Sequence, residues 1–176
     1  MIVIIVDNDS DNLELSQEKY NSIIKLINFK DIRCTCGKNG YLVKIGSYQK
    51  CYKIPERKIC LQIQRVMCKH CGKTHAVLVH NMVPASMLLV PTQIEILKSY
   101  YNHETATLLD RYATLDLANI YYVVKNYEKT WKQYLESANL SLESNINNII
   151  NYFIENYNNQ FMQMKENIPV IKISSY

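Results

Sequence analysis

The sequence predicts an α+β protein in which a small β-rich domain built around four cysteines precedes an all-helical bundle. Three observations predict it. All six cysteines lie between Cys34 and Cys71. Apolar residues within that stretch alternate with the period of a strand. From Pro91 onward the apolar spacing becomes that of a helix. The chain of 176 residues thus divides into an N-terminal strand and helix over 1–31, a cysteine-rich domain over 32–90 and a helical domain over 91–176.

Taken in order, Ile2 to Val6 reads as a short buried strand and Ser16 to Phe29 as a helix with Tyr20, Ile23, Ile24 and Ile27 on one face. Tyr41 to Ser47 and Tyr48 to Ile54 read as two strands, with a turn at Pro55-Glu56-Arg57-Lys58. Ile59 to Met67 alternates between the two faces of a sheet, and Thr74 to Val83 supplies another strand. Thr92-Gln93-Ile94-Glu95 has the form of a capping box, opening a helix with Ile94, Leu97 and Tyr101 on one face. A short helix follows from Glu104 to Tyr112. Thr114 caps a longer one from Leu115 to Glu136, burying Leu117, Ile120, Val124 and Trp131. Short helix, tight turn, longer helix is the spacing of a helix-turn-helix.

Ser144 caps a last helix from Asn145 to Lys165, whose stripe Ile146, Ile149, Ile150, Phe153, Tyr157, Phe161 and Met164 has two outlets. It closes the bundle, or it pairs with a second copy in a homodimer. Ile168 to Ile173 adds a terminal strand beside the N-terminal one.

Charge is distributed unevenly. Residues 33–80 hold ten Lys or Arg against the single acid Glu56, a block of +9 in a chain whose net charge is +4. The flanking segments are each slightly acidic. Apolar residues are 48% and charged residues 20% of the chain, which excludes wholesale disorder. No apolar run reaches the roughly 18 residues that span a bilayer. The apolar start runs directly into Asp7, Asp9 and Asp11, unlike a secretory leader, so a cytoplasmic protein with no membrane partner is expected.

A reducing compartment argues against disulfides. Spacing argues for metal. Cys68-Lys-His-Cys71-Gly-Lys is a C-x-x-C-G-K knuckle, and Cys34-Thr-Cys36-Gly-Lys is a tighter C-x-C-G-K relative of it. In such knuckles two thiolates converge on an ion while the glycine permits the turn behind them. Two of them bracketing strands suit a tetrahedral Zn2+ held by Cys34, Cys36, Cys68 and Cys71, a zinc ribbon. His70 or His75 can stand in for one cysteine. Cys51 and Cys60 lack knuckle context and read as ordinary strand residues.

The run Cys34-Thr-Cys36-Gly, Gly46 with its basic strand, and Arg65-Val-Met-Cys68-Lys-His-Cys71-Gly-Lys-Thr-His75 resembles an uncharacterised zinc-ribbon family of low-GC Gram-positive bacteria. That family is similar to the N-terminal region of insertion-sequence transposases, where a zinc ribbon precedes a helix-turn-helix. The resemblance implies the same four cysteine ligands, one structural zinc and a DNA-binding role of mobile-element origin. The acidic triad and RNase-H-like domain of a transposase have no counterpart after Glu136, and no other catalytic grouping stands out, so a non-enzyme is expected.

On this reading Lys44, Lys50, Lys53, Arg57, Lys58, Arg65, Lys69 and Lys73 face DNA phosphates. Asn119, with Tyr122 and Asn126, reads a groove, and Lys125, Lys129 and Lys132 form a basic stripe on the third helix. The competing expectation is a small phage or mobile-element protein that binds and inhibits a host or defence protein, such as a nucleic-acid-guided nuclease.

Overall fold

The computed structural model describes residues 2–7, 15–163 and 170–174. It shows a mixed α/β protein in which five strands form one sheet. These are β1 (Ile2–Asp7), β2 (Leu42–Lys53), β3 (Lys58–Cys68), β4 (Thr74–Val79) and β5 (Val170–Ser174), ordered β2-β3-β4-β1-β5. The first three members of that order are antiparallel. β4, β1 and β5 run parallel, with Val3 beside Val170. The terminal strand therefore lies next to the N-terminal one, as its sequence suggests. Residues 168 and 169, where it was expected to begin, are outside the described residues.

Where the sequence reads as two strands broken at Ser47, there is one. Gly46 is not a break but a bulge: the register slips between Lys44 and Gly46, and Gly46 adopts φ +129°, a conformation open chiefly to glycine. β4 is also shorter than expected, stopping at Val79.

Helix α1 (Gln17–Leu26) starts at Ser16, whose hydroxyl accepts the Lys19 N–H. It ends three residues before Phe29, which opens a short 3-10 turn and is buried. Tyr20, Ile23 and Ile24 face the sheet. The Tyr20 hydroxyl accepts the Gln64 N–H and donates to the Val77 carbonyl, both at 2.8 Å. β3 and β4 pair only from Arg65–Ala76 to Met67–Thr74. Tyr20 thus satisfies two backbone groups where β4 leaves β3 to join β1.

The helices are α2 (Val90–Tyr101), α3 (Thr105–Arg111), α4 (Leu117–Asn126), α5 (Lys132–Ser137) and α6 (Ile146–Tyr157), with a π-helical turn, Tyr127–Trp131, joining α4 to α5. Several expected boundaries are corrected. Thr92 caps nothing: α2 begins two residues earlier, because the fixed φ of Pro91 suits a first turn, and Thr92 and Gln93 are buried within it. Glu95 instead receives Arg111 and the Tyr112 hydroxyl.

Asp116, not Thr114, caps α4, in a complete capping box with Asn119. Thr114 donates its hydroxyl to the Ile54 carbonyl at 2.8 Å, tying the bundle to the hairpin. Leu117 sits at the first helical position and is 68% exposed rather than core. Asn145, not Ser144, caps α6, which ends at Asn158 in the left-handed conformation instead of continuing to Lys165. Of the expected stripe, Met164 lies outside the described residues.

Two apolar cores result. One joins the sheet to α1. The other fills the bundle, where Trp131 meets Phe153 and Phe161 edge-on with ring centroids 5.1 and 5.6 Å away. Ile149, Ile150, Phe153 and Phe161 are completely buried inside one chain. These four residues of the stripe therefore close the bundle. The halves are tied by polar contacts as well as by chain: the Gln160 amide donates to the His80 carbonyl.

Candidate metal centre

Two turns of the same design create the centre. In the first, the Cys34 N–H donates to the Lys38 carbonyl and the Gly37 N–H to the Cys34 carbonyl, at 2.9 and 2.8 Å. In the second, the Cys68 N–H donates to Lys73 and the Gly72 N–H to Cys68, at the same two distances. Gly37 and Gly72 have φ of +86° and +70°, which is why each knuckle carries a glycine there. The C-x-C pair forms this turn despite its missing residue. β2 brings the turns together, since Leu42 pairs with Cys68 and the Lys69 N–H donates to the Tyr41 carbonyl.

The four sulfurs of Cys34, Cys36, Cys68 and Cys71 lie within 4.8 Å of one another. Cys34 is 3.7 Å from Cys71, and Cys36 is 3.9 Å from Cys68. A disulfide needs about 2.05 Å. A tetrahedral thiolate site with metal–sulfur bonds of about 2.3 Å needs edges of about 3.8 Å. The donor set and its spacing therefore fit one thiophilic, four-coordinate metal ion. His75 is buried with Nε2 3.5 Å from the Cys34 sulfur, and the exposed His70 places Nδ1 3.9 Å from Cys36. With four sulfurs already convergent, neither imidazole replaces a cysteine. Both flank the thiolates from outside, as partners that orient ligands do.

Electrostatics agree. Burial raises the Cys34 thiol, but the Cys36 N–H, His75 and the neighbouring thiols outweigh it and hold Cys34 down to about 5. At Cys71 the Lys73 N–H favours the thiolate, yet burial and the other three sulfurs push it up to about 11. Cys34 and Cys71 are therefore driven in opposite directions. A dication removes that conflict.

The expected phosphate-facing cations divide into two groups. Lys44, Arg57, Lys58, Arg65, Lys69 and Lys73 are exposed along the hairpin and its knuckle. Lys53 is buried instead: its ammonium meets Asn119 Oδ1 at 2.6 Å and Asp116 at 3.7 Å. That contact also withdraws Asn119, which caps α4 and holds Lys53 rather than standing free to read a base. Lys50 is half-buried over the Tyr52 ring and donates to the Val83 carbonyl at 3.4 Å, and burial lowers it to about 8. Asn126 donates to the Met162 carbonyl. Lys125 and Lys129 are exposed on α4 and the π-turn.

Cys51 and Cys60 are not ordinary strand residues. They oppose each other across the hairpin and are joined in a disulfide. The signal lay in the near-symmetric spacing of the two cysteines about Pro55-Glu56-Arg57. No helix among the described residues is long and apolar enough to cross a membrane. Compared with known proteins, the chain matches no family model, no curated protein and no solved structure.

Proposed function

We propose that the four-sulfur centre holds one structural Zn2+ and that the protein is a non-catalytic, zinc-dependent DNA-binding protein of the transposase-like zinc-ribbon kind. The observation that carries the reading is that six cations of the hairpin and its knuckle, Lys44, Arg57, Lys58, Arg65, Lys69 and Lys73, are exposed on the element whose end the four sulfurs gather. Four thiolates and one Zn2+ sum to −2, so the +9 block stays near +7 when loaded. The metal fixes the turns, the turns fix β2 against β3, and the strands hold Lys44, Arg57, Lys58, Arg65, Lys69 and Lys73 in a constant arrangement. Contacts of this kind set affinity and salt dependence without reading sequence. The α3–turn–α4 segment is the helix-turn-helix of this reading, with Lys125 and Lys129 as its phosphate contacts.

A filter-binding titration of a short duplex against salt tests it. Six phosphate contacts give a slope of log affinity on log salt of about −5. A flat response, or no binding at the low-salt end, refutes the proposal. A host protein retained after nuclease treatment, with no DNA bound, favours the inhibitor reading in its place.

A further inference from the structure

The helical half holds a cleft of about 410 Å³ of which the DNA-binding reading uses only the rim lysines Lys125 and Lys129. We infer that this cleft, beside the π-turn, binds a nucleoside monophosphate unit, with its base among the aromatic walls and its phosphate at Lys125 and Lys129. The inference is independent of the ribbon, since it requires neither the metal nor duplex DNA.

Three features of the cleft select that ligand. Its walls include Trp131, Tyr134 and Tyr157, broad flat surfaces of the kind that stack on a planar ring. Among the described residues its charged lining is Lys125 and Lys129, which favours an anion. Three carboxamides line it, Asn126, Asn159 and Gln163. Asn126 gives an N–H to Met162 and Asn159 accepts from Gln163 at 2.7 Å, which leaves the two asparagines capacity for the edge of a base. The volume admits one nucleotide and not a duplex.

One lining residue carries an unmet demand. Trp131 is 4% exposed, and its indole N–H is buried with no hydrogen-bond partner. A buried donor left unpaired costs about 1–3 kcal/mol, and it is commonly retained where a ligand or water completes it.

The π-turn explains how one helix supplies both the cations and the wall. In an α-helix, residues five apart diverge by roughly 140° around the axis. A π-turn closes its hydrogen bond from i to i+5, as the Lys132 N–H does to the Tyr127 carbonyl. That wider turn brings Tyr134 back towards the face that carries Lys129. A regular helix here would present the lysines to one side and the ring to another. π-turns are scarce and concentrate at functional sites.

Trp131 is the only tryptophan in the chain and lines the cleft, so its fluorescence responds to occupancy there. The test is titration of the full, metal-loaded protein with adenosine 5′-monophosphate, adenosine, inorganic phosphate and a short 5′-phosphorylated single strand. The expected result is saturable quenching by the monophosphate below about 1 mM. Adenosine should bind at least about tenfold more weakly, and Lys129→Glu should weaken the monophosphate by about tenfold or more.

Tyr134→Ala, which removes a wall without altering charge, should weaken adenosine and its monophosphate equally. Saturation by the single strand alone assigns the unit to a nucleic-acid end, and saturation by both assigns it to a free nucleotide. Absence of saturable change with either probe overturns the inference. So does quenching that persists unchanged in a folded Lys125→Glu/Lys129→Glu variant.

Discussion

The sheet half and the helical half of this molecule are held together by different chemistry. In the sheet half, sulfur does much of the work: four thiols converge at one end of the β2–β3 hairpin, and a disulfide joins its strands nearer the other. Cys60 and Cys68 are eight residues apart on β3, which places the two cross-links roughly 26 Å from each other along the strand. In the helical half, no cross-link occurs among the described residues, and a cluster of Trp131, Phe153 and Phe161 provides the cohesion. The contrast follows the charge. Ten cations crowd residues 33–80, where mutual repulsion opposes a compact state and apolar residues are few on the exposed strands. A nearly neutral bundle meets no such opposition and can leave a cleft open beside its core.

The contrast is most sharply tested by taking the metal away. Chelation, or Cys68→Ser, should destabilise the sheet half by about 5 kcal/mol or more while metal content falls to background. Trp131 emission should change little, and joint collapse of both halves would break the distinction. Phe153→Ala makes the reverse cut. A cavity in the aromatic cluster should cost about 3–5 kcal/mol in urea unfolding, with metal content unchanged.

Replacing Cys51 and Cys60 together by serine opens a loop of sequence separation 9 and should cost about 2–3 kcal/mol. DNA affinity should hold if the metal alone orders the cations. The smallest effect concerns Lys50. Burial lowers its ammonium to about 8, so the folded state carries a penalty that is full below that pH and fades as pH rises towards the ordinary lysine value. Lys50→Met should therefore stabilise the protein by about 1 kcal/mol at neutral pH, after allowance for partial solvent screening and a lost cation–π contact. Denaturation of both proteins at pH 7 and again about pH 10 should show the gap closing.

The metal centre was legible in the sequence because a knuckle is a local device. Two thiols, a glycine of positive φ and a lysine at fixed spacing determine their turn without help from the rest of the chain. β1, β3 and α1 were legible for the same reason, through a short apolar run, alternation and a helical apolar face. What escaped depends on register or on competition between caps. The partnership of Cys51 with Cys60 depends on the register that the turn after Lys53 sets, with Lys53 paired to Lys58. Thr92 looked like a cap because its spacing to Glu95 is right, yet Pro91 sets the helix start and burial claims the threonine.

Leu117 looked like core because its phase matches Ile120 and Val124, but a first-turn residue next to the Asp116 cap projects past the bundle. Asn119 and Lys53 were assigned to a ligand, and they found each other. No pattern announced the π-turn, since an extra residue in one helical turn leaves no compositional trace.

The placement of β5 bears on the order in which the molecule is made. β1 is the first described strand to emerge during synthesis and β5 the last, yet they are neighbours, Val3 alongside Val170. Every other strand can find its partners on a partly translated chain. One side of β1, a run that includes Ile2, Val3 and Ile4, must wait until β5, Val170–Ser174, has been made. For that interval the nascent protein carries a greasy, unpaired border able to recruit a sister chain, so translation speed and early chaperone capture become determinants of its yield.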